Sequence, residues 1–114
     1  ELFPAVAIIG VRQCGKTELS KRLRPDWRYF DLEQEEAFER VERDSEFFLK
    51  ENNHSIIIDE AQESPKLFRA LRGAIDADRK KTGRYILTGS ASPAILKNIS
   101  ESLAGRIATV ELGT

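Results

Sequence analysis

A chain of 114 residues is long enough for one domain with a single hydrophobic core, and 18 basic against 19 acidic side chains exclude a global electrostatic case for nucleic-acid binding. Its single cysteine excludes an internal disulfide and a cysteine-built metal site. No apolar run approaches the length of a membrane span and no signal peptide is visible, so a soluble, cytoplasmic chain with no membrane partner is expected.

The first predicted element is the short apolar run Ala5-Val6-Ala7-Ile8-Ile9, which ends at a glycine as a buried parallel strand does. Gly10 to Thr17 follows, reading GVRQCGKT, which fits the pattern of Gly, four residues, Gly, Lys, Ser or Thr. A triphosphate needs several donors converging on clustered negative oxygens, and a dock for a divalent cation. Glycines let the backbone wrap closely around such a group, and the positive end of the following helix faces it. Lys16 is expected to reach the terminal phosphates and the Thr17 hydroxyl to ligate Mg²⁺. The expected nucleotide-contacting set is Gly10, Arg12, Gln13, Cys14, Gly15, Lys16, Thr17 and Glu18, with Cys14 contributing chiefly through its backbone. A helix from Glu18, with Leu19 and Leu23 on one face, runs until Pro25 stops it.

Trp27 to Phe30 alternates aromatics as a second strand does, with Trp27 and Phe30 expected to face the core. Asp31 to Glu46 is acidic, and Ala37, Phe38 and Val41 give it the narrow apolar face of a solvated helix. Ser45 is a candidate cap for a short helix through Phe47, Phe48 and Leu49; His54, in the polar turn beyond it, has no partner in view and reads as a surface residue.

Ser55 to Glu60 is a β-branched run that delivers two carboxylates to its end. As a buried strand it would place both at the carboxyl edge of a sheet, where open α/β sheets bind ligands. Asp59 is then expected to hold Mg²⁺ and Glu60 to act as general base on the attacking water. Downstream, Ser64-Pro65 reads as the start of a helix with Leu67, Phe68, Leu71, Ala74 and Ile75 inward, closed by Lys80 to Gly83. Its basic face of Lys66, Arg69 and Arg72 could meet a phosphate backbone, but such faces are more often simply solvated. Arg84 to Ser90 is another strand, ending in Thr88 and Ser90, either of which could sense a γ-phosphate or position water. A Ser92-Pro93 start then opens a helix carrying Ile95, Leu96 and Ile99 inward, and Ile107 to Leu112 forms a final strand. Such alternation predicts right-handed βαβ units and an α/β fold with a parallel sheet of about five strands.

The segments GVRQCGKTELSKRL, YFDLE, IIIDEAQESPKLFRALR, YILTGSAS and ESLAGRIATVEL together resemble the nucleotide-binding core of AAA+ ATPases, in particular a group of prokaryotic members. The resemblance covers nearly the whole chain and implies a three-layer αβα P-loop NTPase sandwich, with the strand of Thr88 between those of the P-loop and Asp59. It implies Mg²⁺-dependent ATP hydrolysis that drives conformational change in attached domains, on a DNA or protein partner and in a homo-oligomer. It also makes Arg106 a candidate for reaching a nucleotide, its own or a neighbour's; a purely structural role tying down the last strand is the alternative. Similar proteins continue into helical or winged-helix segments. The chain opens on Glu1 rather than Met, so residues 1 to 114 are expected to be one domain of a longer protein, weakly active in isolation.

Two other functions fit the same motifs. A P-loop kinase is disfavoured, because a glutamate placed to activate water is what a kinase should avoid. A nucleotide-gated switch with slow hydrolysis has the same sequence signature as a working motor.

Overall fold

A computed structural model describes residues 3–10 and 15–112. Five strands, β1 (Ala5–Gly10), β2 (Arg28–Asp31), β3 (Ile56–Asp59), β4 (Tyr85–Ser90) and β5 (Ile107–Leu112), alternate with helices α1 (Lys16–Leu23), α2 (Glu35–Arg43), α3 (Ser45–Glu51), α4 (Lys66–Ala77) and α5 (Pro93–Leu103). All strand pairs are parallel, in the order β2-β3-β4-β1-β5. The strand of Thr88 therefore lies between the strands that lead to Lys16 and to Asp59, as the resemblance implied.

The order follows from which strands are apolar throughout. Every residue of β3 is buried, and so is all of β4 except Ser90, so these strands need helices on both faces. β2 and β5 expose more of their length and take the edges.

Alternation along the strands divides the core. Ala5, Ala7, Ile9, Ile56, Ile58, Tyr85 and Leu87 point to the face covered by α2 to α5, where they meet Val41, Phe48, Leu49, Leu67, Phe68, Leu71, Ile75, Ile95 and Leu103. Each fully buried aliphatic here contributes about 1.5–3 kcal/mol. Ile8, Ile57 and Ile86 point the other way, onto Leu19 of α1 and the rings of Trp27 and Tyr29. The result is the three-layer α/β sandwich of a P-loop NTPase, thick on one face and thin on the other. Because every strand runs the same way, the carboxyl ends of β1, β3 and β4 share one edge, with Gly10 beside Ser90 and Ile58 beside Leu87.

Several local expectations are corrected. Asp44, not Ser45, caps α3 by accepting from the Phe47 amide at 3.0 Å, while the Ser45 hydroxyl turns back to the Val41 carbonyl. A carboxylate one residue earlier has the reach to the first turn that Ser45, already inside the helix, lacks. Ser64 does not cap α4; its buried hydroxyl donates to Glu42 instead. α4 ends at Ala77, capped by Asp78, before the basic run reaches it. Leu96 is exposed, because only Ile95, Ile99 and Leu103 fall on the buried side of α5. Leu23 is exposed too, since α1 buries Lys16 and Ser20, residues that serve the site below.

Candidate active site at the carboxyl edge

The site starts at Gly15, whose φ of 89° lies in the left-handed region that side chains resist. This turn delivers the chain directly into α1, so that Lys16 and Thr17 occupy the first helical positions at the sheet edge. Lys16 is buried, 3 % exposed, and its Nζ lies 3.3 Å from Glu60 Oε2. Two charges this far from water persist only by facing each other. The Thr17 hydroxyl donates to the Asp59 carboxylate, 3.0 and 3.1 Å from its two oxygens, and the Ser20 hydroxyl locks the turn by donating to the Thr17 carbonyl at 2.8 Å.

From the other side, β3 ends on Asp59, and its carboxylate accepts from the hydroxyls of Thr17, Thr88 and Tyr29. Thr88 is fully buried and engaged both ways: its proton goes to Asp59 and one lone pair takes the Glu60 amide N–H at 3.1 Å. Tyr29 stays protonated, its phenol pushed up by burial first, then by the bond to Asp59 and by nearby carboxylate charge. Lys21 of α1 sits 4.1 Å above the centre of the Tyr29 ring.

Glu60 itself is left-handed, with φ 57° and ψ 51°, a conformation that costs a non-glycine residue about 1–2 kcal/mol. The kink is held at both ends, by Thr88 on its N–H and by the Glu63 amide on its carbonyl at 3.1 Å. It turns the chain into a short 3-10 turn, Ala61–Glu63, and leaves the Glu60 side chain facing Lys16. The Gln62 amide nitrogen then donates to Glu60 Oε1 at 2.8 Å, so both oxygens of this buried acid are engaged. Gly89 makes room for this: a Cβ there would stand 2.9 Å from Gln62 Oε1 and 2.3 Å from Ile95 Cδ1.

An open cleft of about 760 Å³ is lined by Gly15, Lys16, Thr17, Glu18, Lys21, Glu33, Asp59 and Glu60. A second cavity, about 680 Å³, lies between α3 and α4 and holds none of the expected nucleotide residues. The first is the candidate chemical site, because there the buried Lys16 faces Glu60 and the Thr17 hydroxyl meets the Asp59 carboxylate.

Thus Gly15, Lys16, Thr17, Glu18, Asp59, Glu60 and Thr88 are brought together, with Glu18 on the exposed rim. Gly10 ends β1 at the same edge, and half-exposed Ser90 pairs with it across the sheet. Arg12, Gln13 and Cys14 lie outside the described residues. Arg106 is elsewhere. It precedes β5, whose first residue pairs with Ala5, so the six residues of β1 separate it from the cleft, roughly 20 Å of strand. There its guanidinium forks onto Asp76 of α4 at 2.8 and 3.0 Å. Reach to its own chain's nucleotide is corrected by this placement, for the side chain spans far less than the strand.

His54 is exposed beside Ser55, as expected. Of the basic face, Lys66 is occupied by Glu42. Tyr29 and Gln62 were not singled out by sequence reasoning. Tyr29 becomes legible only once β2 is paired with β3, placing Asp31 beside Asp59 and Tyr29 on the Asp59 side. Gln62 carried a weak signal, an amide two residues beyond a candidate base.

Hydroxyl and carboxylate oxygens are the hard donors a magnesium ion takes, so Thr17 and Asp59 fit that ion. No helix among the described residues is long and apolar enough to cross a membrane.

Residues 2–114 match the AAA domain family. Two curated relatives, the uncharacterized proteins Mb2031c of Mycobacterium bovis and Rv2008c of Mycobacterium tuberculosis, are each 40% identical over 112 residues, covering 96% of this chain. The chain spans about a quarter of their length, 25% in each case. With a parallel sheet, a glycine-lysine-threonine turn against an Asp-Glu strand end and a family match over nearly its whole length, the chain belongs to the AAA domain family of nucleotide-binding P-loop proteins.

Proposed function

We propose that this domain binds Mg·ATP in the carboxyl-edge cleft and hydrolyses it, using the cycle to change the conformation of attached domains. The observation that carries this reading is the pairing of two loops distant in sequence: Lys16 on Glu60 and Thr17 on Asp59.

Each residue then has a task that its surroundings prepare. Lys16 exchanges one carboxylate for the more highly charged phosphate oxygens, which frees Glu60 Oε2. Thr17 and Asp59 would hold a magnesium ion, which when bound would offset the charge of the triphosphate. Glu60 takes a proton from the attacking water as the water oxygen bonds to the γ-phosphorus. The bond from that phosphorus to the β–γ bridging oxygen breaks, and ADP and inorganic phosphate leave. Thr88 ties Asp59 and the Glu60 backbone to β4, keeping metal holder and base in register. Ser90, half-exposed and beside Gly10, is the hydroxyl of the turn left to touch the γ-phosphate or the water. Arg106 serves in trans, at a neighbour's nucleotide in a homo-oligomer.

A second reading is a nucleotide-gated switch with slow hydrolysis, acting on a protein or DNA partner. The Lys16–Glu60 pair supports it, because nucleotide binding that draws Lys16 to phosphate changes the partners of Glu60 whether or not hydrolysis follows quickly.

Steady-state Mg·ATP turnover by the longest natural polypeptide carrying this domain, with and without DNA and with Glu60→Gln as blank, separates the readings. Turnover that depends on Glu60 and rises with DNA supports the motor. Slow turnover indifferent to DNA, with a protein that binds only the ATP form, supports the switch, and no nucleotide binding at all sinks both.

A further inference from the structure

Glu60 has two donors, and the proposed cycle removes one of them. Once Lys16 has moved to phosphate, the only side chain among the described residues still bonded to the carboxylate is Gln62, through Nε2 to Oε1 at 2.8 Å. A glutamate side chain has three rotatable bonds, so a base held by nothing loses its aim at the moment it is needed.

Two observations indicate that the Gln62 contact is built rather than incidental. A carboxylate only accepts, so the amide nitrogen must face Glu60, which turns Gln62 Oε1 toward β4, where it is buried with no hydrogen-bond partner among the described residues. An unmet buried acceptor is unfavourable and persists where the same group makes a needed bond elsewhere. Moreover, a Cβ at position 89 would stand 2.9 Å from that oxygen and 2.3 Å from Ile95 Cδ1, so the glycine leaves the room that the amide and Ile95 fill. Neighbouring residues of one strand thus hold the base at two points, Thr88 by the Glu60 backbone and Gly89 by way of Gln62.

We propose that Gln62 is a positioning residue for the Glu60 carboxylate, clamped between it and Gly89, and that it keeps the base aimed after Lys16 departs. This rests on the ATPase reading above. The role leaves a free lone pair on each Glu60 oxygen for the proton of water, and it lets the end of β4 set the angle of the base.

The test uses the longest natural polypeptide carrying this domain. Gln62→Met keeps the length and removes the N–H; Gly89→Ala keeps the amide and drives a Cβ into its place. Turnover and Mg·ATP affinity are measured separately, the latter with a fluorescent nucleotide, together with the thermal midpoint. The expected result for Gln62→Met is a kcat about 10- to 100-fold lower with Kd within about twofold and an unchanged midpoint. In a Glu60→Gln background the same substitution has no further effect, since there is no base left to aim. Gly89→Ala, where it folds, follows Gln62→Met in lowering kcat. A Gln62→Met protein with wild-type kcat, or one in which kcat, affinity and midpoint fall together, overturns the positioning role alone. A wild type with no turnover overturns the ATPase reading and this inference with it.

Discussion

The two edges of the sheet use buried charge in opposite ways. At the amino edge, Arg84 is 5 % exposed and, among the described residues, its guanidinium bonds to neutral oxygens, the carbonyls of Asn53 and Ala74 and the hydroxyl of Tyr85. Ala74 lies in the last turn of α4, where carbonyls lack helical partners and the helix end is negative, so the arginine fastens a helix to a strand. At the carboxyl edge an ammonium, two carboxylates and three hydroxyls bond chiefly to one another. Charge spent on main-chain oxygens is fixed in place, whereas charge held by other movable side chains can be exchanged for a ligand. On the proposed function, the amino edge serves stability and the carboxyl edge serves chemistry.

That division is broken if a carboxyl-edge substitution mainly unfolds the protein, or an amino-edge one mainly stops turnover. Lys16→Ala should have the largest effect, lowering Mg·ATP affinity by on the order of 10²–10³-fold in equilibrium binding. Next is Glu60→Gln, with kcat down about 10²-fold and nucleotide binding retained. Arg84→Met should cost about 1–3 kcal/mol in urea unfolding, because the buried Tyr85 hydroxyl and two part-buried carbonyls lose their donor, with turnover per folded molecule unchanged.

Asp76→Asn removes the charge that holds the Arg106 guanidinium at the amino end of β5. The Arg106 bond first, and then its charge, holds the Asp76 carboxyl below the ordinary aspartate range. A carboxyl with a lowered folded pKa stabilises above its unfolded value, about 4, and that contribution is lost as pH falls through the folded one. The expected result is a small drop in thermal midpoint near neutral pH that shrinks in high salt and disappears in strong acid. Arg106→Ala, by contrast, tests the role in trans: a loss of turnover that mixing with Lys16→Ala subunits partly restores supports it.

Much of this was legible before any coordinates. GVRQCGKT and the apolar run into Asp59-Glu60 are local patterns whose spacing is set by backbone geometry, and Ser92-Pro93 caps α5 as its composition predicts, the Ile95 amide donating to the Ser92 hydroxyl. Ser45 and Ser64 failed as caps because a neighbouring carboxylate competed, at Asp44 for the helix end and at Glu42 for the hydroxyl, and one-dimensional propensity does not see that competition.

Periodicity, caps and the two motifs belong to stretches of a few residues, and there the chain's own chemistry decides which strands form and which acids end them. Pairing belongs to the assembled sheet. Only it brings Tyr29 to Asp59 and Gln62 against Gly89, and carries Arg106 to the far end of β5 from the cleft. The physical reason is that parallel strands meet through long crossovers, so a residue's neighbour across the sheet is unrelated to its neighbour in the chain.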